Sequence, residues 1–185
     1  MRRSLRTAVF LGTRGAGKSS TLNRLFALGL DTDPVRECAT GPSAHRLRVT
    51  GGRPWLIVDL PATDCGEHPH YRRWLPHADV IVWITRANTR AYQQDQRFWR
   101  DHARFVATGT RLVLAVGAFD TRLAGLPGTA ADPRAADLVG RALADAGAGI
   151  IPFTWTTVDR TRVVPYSAEA GWNLGRLHRE IFEEH

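Results

Sequence analysis

Residues Gly12-Thr13-Arg14-Gly15-Ala16-Gly17-Lys18-Ser19 match the pattern G-x-x-x-x-G-K-[ST]. They follow a short apolar stretch, Thr7–Leu11, and lead into Lys18–Leu28, where Leu22, Leu25, Phe26 and Leu28 recur near helical spacing before Gly29. A strand, a glycine-rich turn and a helix in that order form the phosphate-binding loop. The glycines let the backbone wrap a polyphosphate, and its N–H groups and the helix N-terminus meet the negative charge. Lys18 is expected to bridge the β- and γ-phosphates, and Ser19 to ligate Mg²⁺. The nucleotide-binding set is read as Gly12, Thr13, Arg14, Gly15, Ala16, Gly17, Lys18, Ser19 and Ser20.

The basic residues strengthen this reading. The chain holds 25 Lys and Arg against 18 Asp and Glu, a net charge of +7, yet lysine occurs once, at Lys18. Arginine replaces lysine wherever a generic cation suffices, but not where a compact ammonium must fit a narrow site. The surplus arginines are scattered, with pairs only at Arg2-Arg3 and Arg72-Arg73. That distribution suits a solvated surface better than a nucleic-acid interface, so RNA binding through the basic surface is the weaker reading.

The rest of the chain alternates strand and helix patterns. His45–Thr50 and Trp55–Leu60, joined by Gly51-Gly52, read as an antiparallel hairpin. Val80–Thr85 and Leu112–Val116 are continuous apolar runs, as in central strands covered on both faces. Tyr71–Leu75 and Arg90–Val106 read as helices. Asp132 and Pro133 open another, which Gly147 is expected to end. Val163–Tyr166 is the last strand and Asn173–Glu183 the last helix. Segments 121–131 and 148–162 fit no standard element and read as insertions. At 185 residues the chain suits a single domain, 1–185. The predicted fold is α/β, three-layered, with a mostly parallel sheet of about six strands, one of them antiparallel, and helices on both faces. In such folds ligands bind at the carboxyl ends of the strands.

Two further residues fall at that edge. Asp59 ends the apolar run Trp55–Val58, where a carboxylate serving Mg²⁺ belongs. Thr40, between the loop and the hairpin, is placed to close on Mg²⁺ and the γ-phosphate. The chain here resembles GTPases of the TRAFAC class, in the Era-like branch and closest to the YfjP-type predicted GTPases. The resemblance rests on Phe10–Ser19, Cys38-Ala39-Thr40, Leu56–Ala62, Ala78–Ile84, Leu112–Asp120 and Val164–Leu174. It implies binding of GTP or GDP with Mg²⁺, with Ser19, Thr40 and Asp59 at the metal. It also implies that Ser167 and Ala168, in Ser167-Ala168-Glu169-Ala170-Gly171, meet the guanine oxygen.

Three departures bear on what the resemblance implies. Asn-Lys-x-Asp, which reads guanine, appears as Gly117-Ala118-Phe119-Asp120, so Asp120 keeps its charge-assisted contact to the base while two others are missing. Asp-x-x-Gly appears as Asp59-Leu60-Pro61-Ala62, which implies a stiffer switch. No glutamine follows; Thr63 stands at the water-positioning place. Arg14 overhangs the γ-phosphate position, where it stabilises transition-state charge in cis, blocks an arginine finger from a partner, or points to solvent. The catalytic set implied is Lys18, Thr40, Arg14 and Thr63. Gly15 replaces the asparagine of potassium-dependent relatives, so no potassium activation is expected.

Cys38 and Cys65 make no disulfide framework, although both fall in the expected switch loops, and a reducing compartment fits. Among the six tryptophans, Trp83 and Trp99 read as core, and Trp172 as a neighbour of the base. No apolar run spans a bilayer and no export signal is evident, so a cytoplasmic protein without a membrane span is expected. Two functions remain open: a slow Mg²⁺-dependent GTPase switch, or a nucleotide-binding interaction module (a pseudo-GTPase) with little hydrolysis and weakened base selectivity. A protein effector or a homodimer is the expected partner class. A P-loop kinase would not carry the Ser-Ala-x-x-Gly segment or the Gly-Gly hairpin at these places.

Overall fold

The computed structural model describes residues 5–30, 41–48, 53–66, 69–87, 92–118, 133–154 and 162–183, with the backbone alone at 133–136. Six strands form one sheet: β1 Arg6–Leu11, β2 Ser43–Arg48, β3 Pro54–Asp59, β4 Val80–Arg86, β5 Arg111–Gly117 and β6 Val163–Pro165. Their order is β2-β3-β1-β4-β5-β6. Only β2 runs antiparallel, pairing with β3 from Ser43↔Asp59 to Arg48↔Pro54. The other pairs, β3–β1, β1–β4, β4–β5 and β5–β6, are parallel.

Burial follows position in the sheet. β1 and β4, near its centre, are buried at almost every residue, whereas edge strand β2 alternates between half-buried and exposed. Residues one apart on a strand face opposite layers, and the core divides accordingly. Val9, Leu11, Val58, Ile81, Trp83, Leu112 and Leu114 pack on one face, Ala8, Phe10, Ile57, Val82, Ile84, Val113 and Ala115 on the other.

The first face is covered by α2 Pro69–Trp74, α3 Gln93–His102 and α4 Pro133–Ile150, the second by α1 Lys18–Phe26 and α5 Leu174–Phe182. Trp83 and Trp99 are fully buried with ring centroids 4.8 Å apart. Each such side chain contributes roughly 1.5–3 kcal/mol by leaving water. Phe26 and Phe182 meet edge-to-face at 5.7 Å, and Phe182 meets Trp55 at 5.0 Å, which ties α1 and α5 to β3.

Several boundaries differ from the sequence reading. α1 ends at Phe26 because Ala27 turns left-handed (φ 53°). The Asn23 side chain then both donates to the Leu30 carbonyl and accepts the Leu30 N–H, each at 2.7 Å, closing the chain reversal. α3 is shorter than expected, and its end tightens to a 3₁₀ turn at Ala103–Phe105. α4 runs through Gly147 to Ile150, so the segment read as an insertion from 148 begins inside a helix and continues as a 3₁₀ turn, Ile151–Phe153. Glycine recurs here for space: a Cβ on Gly149 would stand 2.2 Å from the Tyr92 ring. Segment 121–131 lies outside the described residues.

Candidate functional site

The site forms where β1 ends in the glycine loop. At Gly12 a Cβ would lie 2.5 Å from the Ile84 carbonyl oxygen, so only glycine lets the loop leave β1 this close to β4. Gly17, at φ 92°, turns the chain into α1. Thr21 reinforces that turn: its N–H and its hydroxyl both donate to the Gly17 carbonyl, at 2.9 and 2.7 Å. The Ala16 N–H closes on the Thr13 carbonyl at 3.1 Å.

Strand register brings the expected carboxylate alongside. Phe10 pairs with Asp59, and the Lys18 ammonium forms an ion pair with Asp59 Oδ1, both side chains being largely buried. Burial nevertheless pushes the Asp59 carboxyl above its ordinary range; Lys18 and His45 offset this only in part. Lys18 and Asp59 therefore hold each other at the mouth of the loop.

The segment after β3 lies against the loop. Leu60 N–H donates to the Phe10 carbonyl at 3.2 Å and Thr63 N–H to the Gly12 carbonyl at 3.1 Å. Asp64 Oδ1 accepts the Arg14 N–H at 2.7 Å. From α2, the Tyr71 hydroxyl reaches the Pro61 and Ala62 carbonyls at 3.2 and 3.1 Å. Thr63 Oγ1 is buried without a hydrogen-bond partner among the described residues.

On the opposite side of the loop, Arg86 ends β4 and its Nη1 donates to the Gly15 carbonyl at 3.1 Å. Its register partner on β5 is Gly117, followed by Ala118 at φ 62°. Ser167 N–H donates to the Trp172 carbonyl, and Ser167 Oγ accepts the Ala170 N–H, each at 3.0 Å. Arg24, on α1, donates to the Ala168 and Glu169 carbonyls at 2.8 and 3.1 Å. The turn from Ser167 is thus fastened to the helix that leaves the glycine loop.

Gly12 to Ser20, Asp59 and Thr63 stand together, with Ser167 and Ala168 joined to them through Arg24. Thr40 and Asp120, with Cys38, lie outside the described residues. Cys65 is disulfide-bonded, where the sequence reading favoured reduced thiols. Trp83 and Trp99 are core, as expected, and Trp172 packs against the core cluster that α2, α3 and α4 cover. Arg86, Asp64, Tyr71 and Tyr166 were not among the sequence candidates. Arg86 alone left a trace: an arginine closing an apolar strand at the edge where ligands bind.

A phosphate-cradling loop and a Lys–Asp pair at the carboxyl edge of this sheet define a P-loop protein of the GTPase type. Residues 7–116 match the 50S ribosome-binding GTPase family, and the chain belongs to it. YfjP of Escherichia coli K12 is 37% identical over 97 residues, covering 49% of this chain and 33% of that protein. YkfA of the same organism is 37% identical over 98 residues, covering 48% and 33%. The chain therefore aligns with about a third of the length of these relatives. Among solved structures, Era in complex with MgGDPNP and nucleotides 1506–1542 of 16S ribosomal RNA superposes with TM-score 0.66 at 15% identity, covering 98% of this chain and 58% of Era. A variant of Aquifex aeolicus Era bound to GDP·AlF4⁻ gives TM-score 0.66 at 17% identity, with the same coverages. These two likenesses concern the fold.

Proposed function

We propose that this chain binds a guanine nucleotide with Mg²⁺ and acts as a slow GTPase switch, organised as one G domain over 1–185. The observation that carries the proposal is the glycine loop with Lys18 held against Asp59 at its mouth. Hard oxygen donors suit Mg²⁺, and Ser19, Thr40 and Asp59 are the residues that would hold it. When bound, Mg²⁺ neutralises charge on the β- and γ-phosphates.

The chain's own groups account for the rest. Main-chain N–H groups of the Gly12–Ser20 loop take the phosphates. Lys18 leaves Asp59 for the β- and γ-oxygens as the triphosphate enters. Arg14 is available to transition-state charge from the loop, and Thr63 would meet an attacking water only once the γ-phosphate has released it from Gly12. Asp120, Ser167 and Ala168 take the base. The bonds from Thr63 to Gly12 and from Arg14 to Asp64 give the γ-phosphate contacts to break, which is the physical basis of a switch.

A second reading, a nucleotide-dependent interaction module with little hydrolysis and weakened base selectivity, is favoured by Thr63. Its N–H is engaged by Gly12 and its hydroxyl is buried, so it is poorly disposed to orient water. A protein effector or a second copy of the chain is the partner proposed in either case. Era's complex with ribosomal RNA and the net positive charge support a lesser RNA role. A cytoplasmic location is proposed with these activities, and no described helix is long and apolar enough to cross a membrane. Single-turnover phosphate release separates the two readings: the enzyme reading predicts a rate above that of Lys18→Ala, and an equal rate leaves the binding module.

A further inference from the structure

Arg86 is a guanidinium with unused donors beside the phosphate cradle. Nη1 is spent on the Gly15 carbonyl, and Nε is buried without a hydrogen-bond partner among the described residues. No carboxylate pairs with it among those residues. A buried donor with no acceptor is costly, and a partly buried cation without a counter-charge more so. Such a group at a ligand edge marks an acceptor that arrives with the ligand.

Sheet order says which part of the ligand that is. The glycine loop follows β1, between β3 and β4. The β3 side carries Asp59, Thr63 and Asp64, the metal and terminal-phosphate side. Arg86 stands on the other side, with Gly117 as its register partner on β5. We propose that Arg86 is a nucleotide-binding residue that donates to an oxygen at the sugar-proximal end of the nucleotide, the α-phosphate or the ribose. This rests on the guanine-nucleotide reading above.

The test is titration of wild type, Arg86→Ala and Arg86→Lys with GDP, GTP and inorganic pyrophosphate in the presence of Mg²⁺, with melting curves to verify folding. Arg86→Ala is expected to weaken GDP and GTP equally, by about tenfold or more, and to leave pyrophosphate binding within about twofold. Arg86→Lys, which keeps the charge but not the fork, is expected to fall between. Unchanged GDP affinity in a folded Arg86→Ala overturns the assignment alone. An equal loss for pyrophosphate overturns it too, by moving the contact to the terminal phosphates. A wild-type protein that binds no guanine nucleotide overturns the underlying reading and this assignment together.

Discussion

The hydroxyl of Tyr166, directly after β6, lies 2.7 Å from Thr21 Oγ1 in the first turn of α1, across 145 residues of sequence. Tyr166 also accounts for a departure from the guanine motif. A Cβ on Gly117 would stand 3.0 Å from the Tyr166 hydroxyl oxygen and 3.1 Å from the ring carbon bearing it. The tyrosine occupies the space that an asparagine at 117 would need, and itself links the end of β5 to the first turn of α1.

Gly117→Asn is therefore expected to destabilise the fold by about 1–3 kcal/mol, as overpacking does. Tyr166→Phe should cost about 1 kcal/mol, because Thr21 keeps its bond to Gly17. Urea denaturation checks both. A Gly117→Asn protein as stable as wild type would show that Tyr166 yields freely.

Asp95 supplies a pH dependence. It is 3% exposed on α3, and burial pushes its carboxyl up to about 7, with Trp83 partly offsetting and Asp64 adding to the rise. A carboxyl raised in the folded state stabilises fully below its unfolded pKa and loses that contribution as pH climbs through the folded one. Stability should fall between about pH 4 and 7. Asp95→Asn should flatten that slope, as read by melting temperature against pH.

Lys18→Ala leaves Asp59 buried without its cation. The Asp59 carboxyl, already raised, should rise further. The unliganded variant should then be less stable than wild type at pH 8 and close to it at pH 4, by the same sign. Equal losses at both values would mean that Lys18 matters for packing alone.

Asp64 sets a negative charge on the Arg14 N–H. It should therefore oppose a terminal phosphate at that amide. Asp64→Ala is expected to raise GTP affinity relative to GDP by about two- to fivefold, the scale of a surface charge contact. Competition with a fluorescent GDP reads the ratio.

Much of the scaffold was legible because local pattern and global position agreed. Val80–Thr85 and Leu112–Val116 were central strands by continuous apolarity, and Gly12–Ser19 stood between strand and helix as its spacing required. Gly147 misled because a glycine that ends a helix and a glycine inside one read alike in one dimension, and α4 runs on to Ile150. Arg86, Asp64 and Tyr166 were missed for another reason. Their roles come from register and long-range approach, such as Arg86 to Gly15, 71 residues apart, which no local pattern encodes.

Calorimetric titration with GDP, GTP and ATP in Mg²⁺, on wild type and Lys18→Ala, tests the central claim most directly. The account predicts that GDP and GTP bind wild type more tightly than ATP and that Lys18→Ala abolishes the heat of binding. ATP affinity equal to GTP contradicts the guanine assignment, and nucleotide binding that survives Lys18→Ala contradicts the site itself.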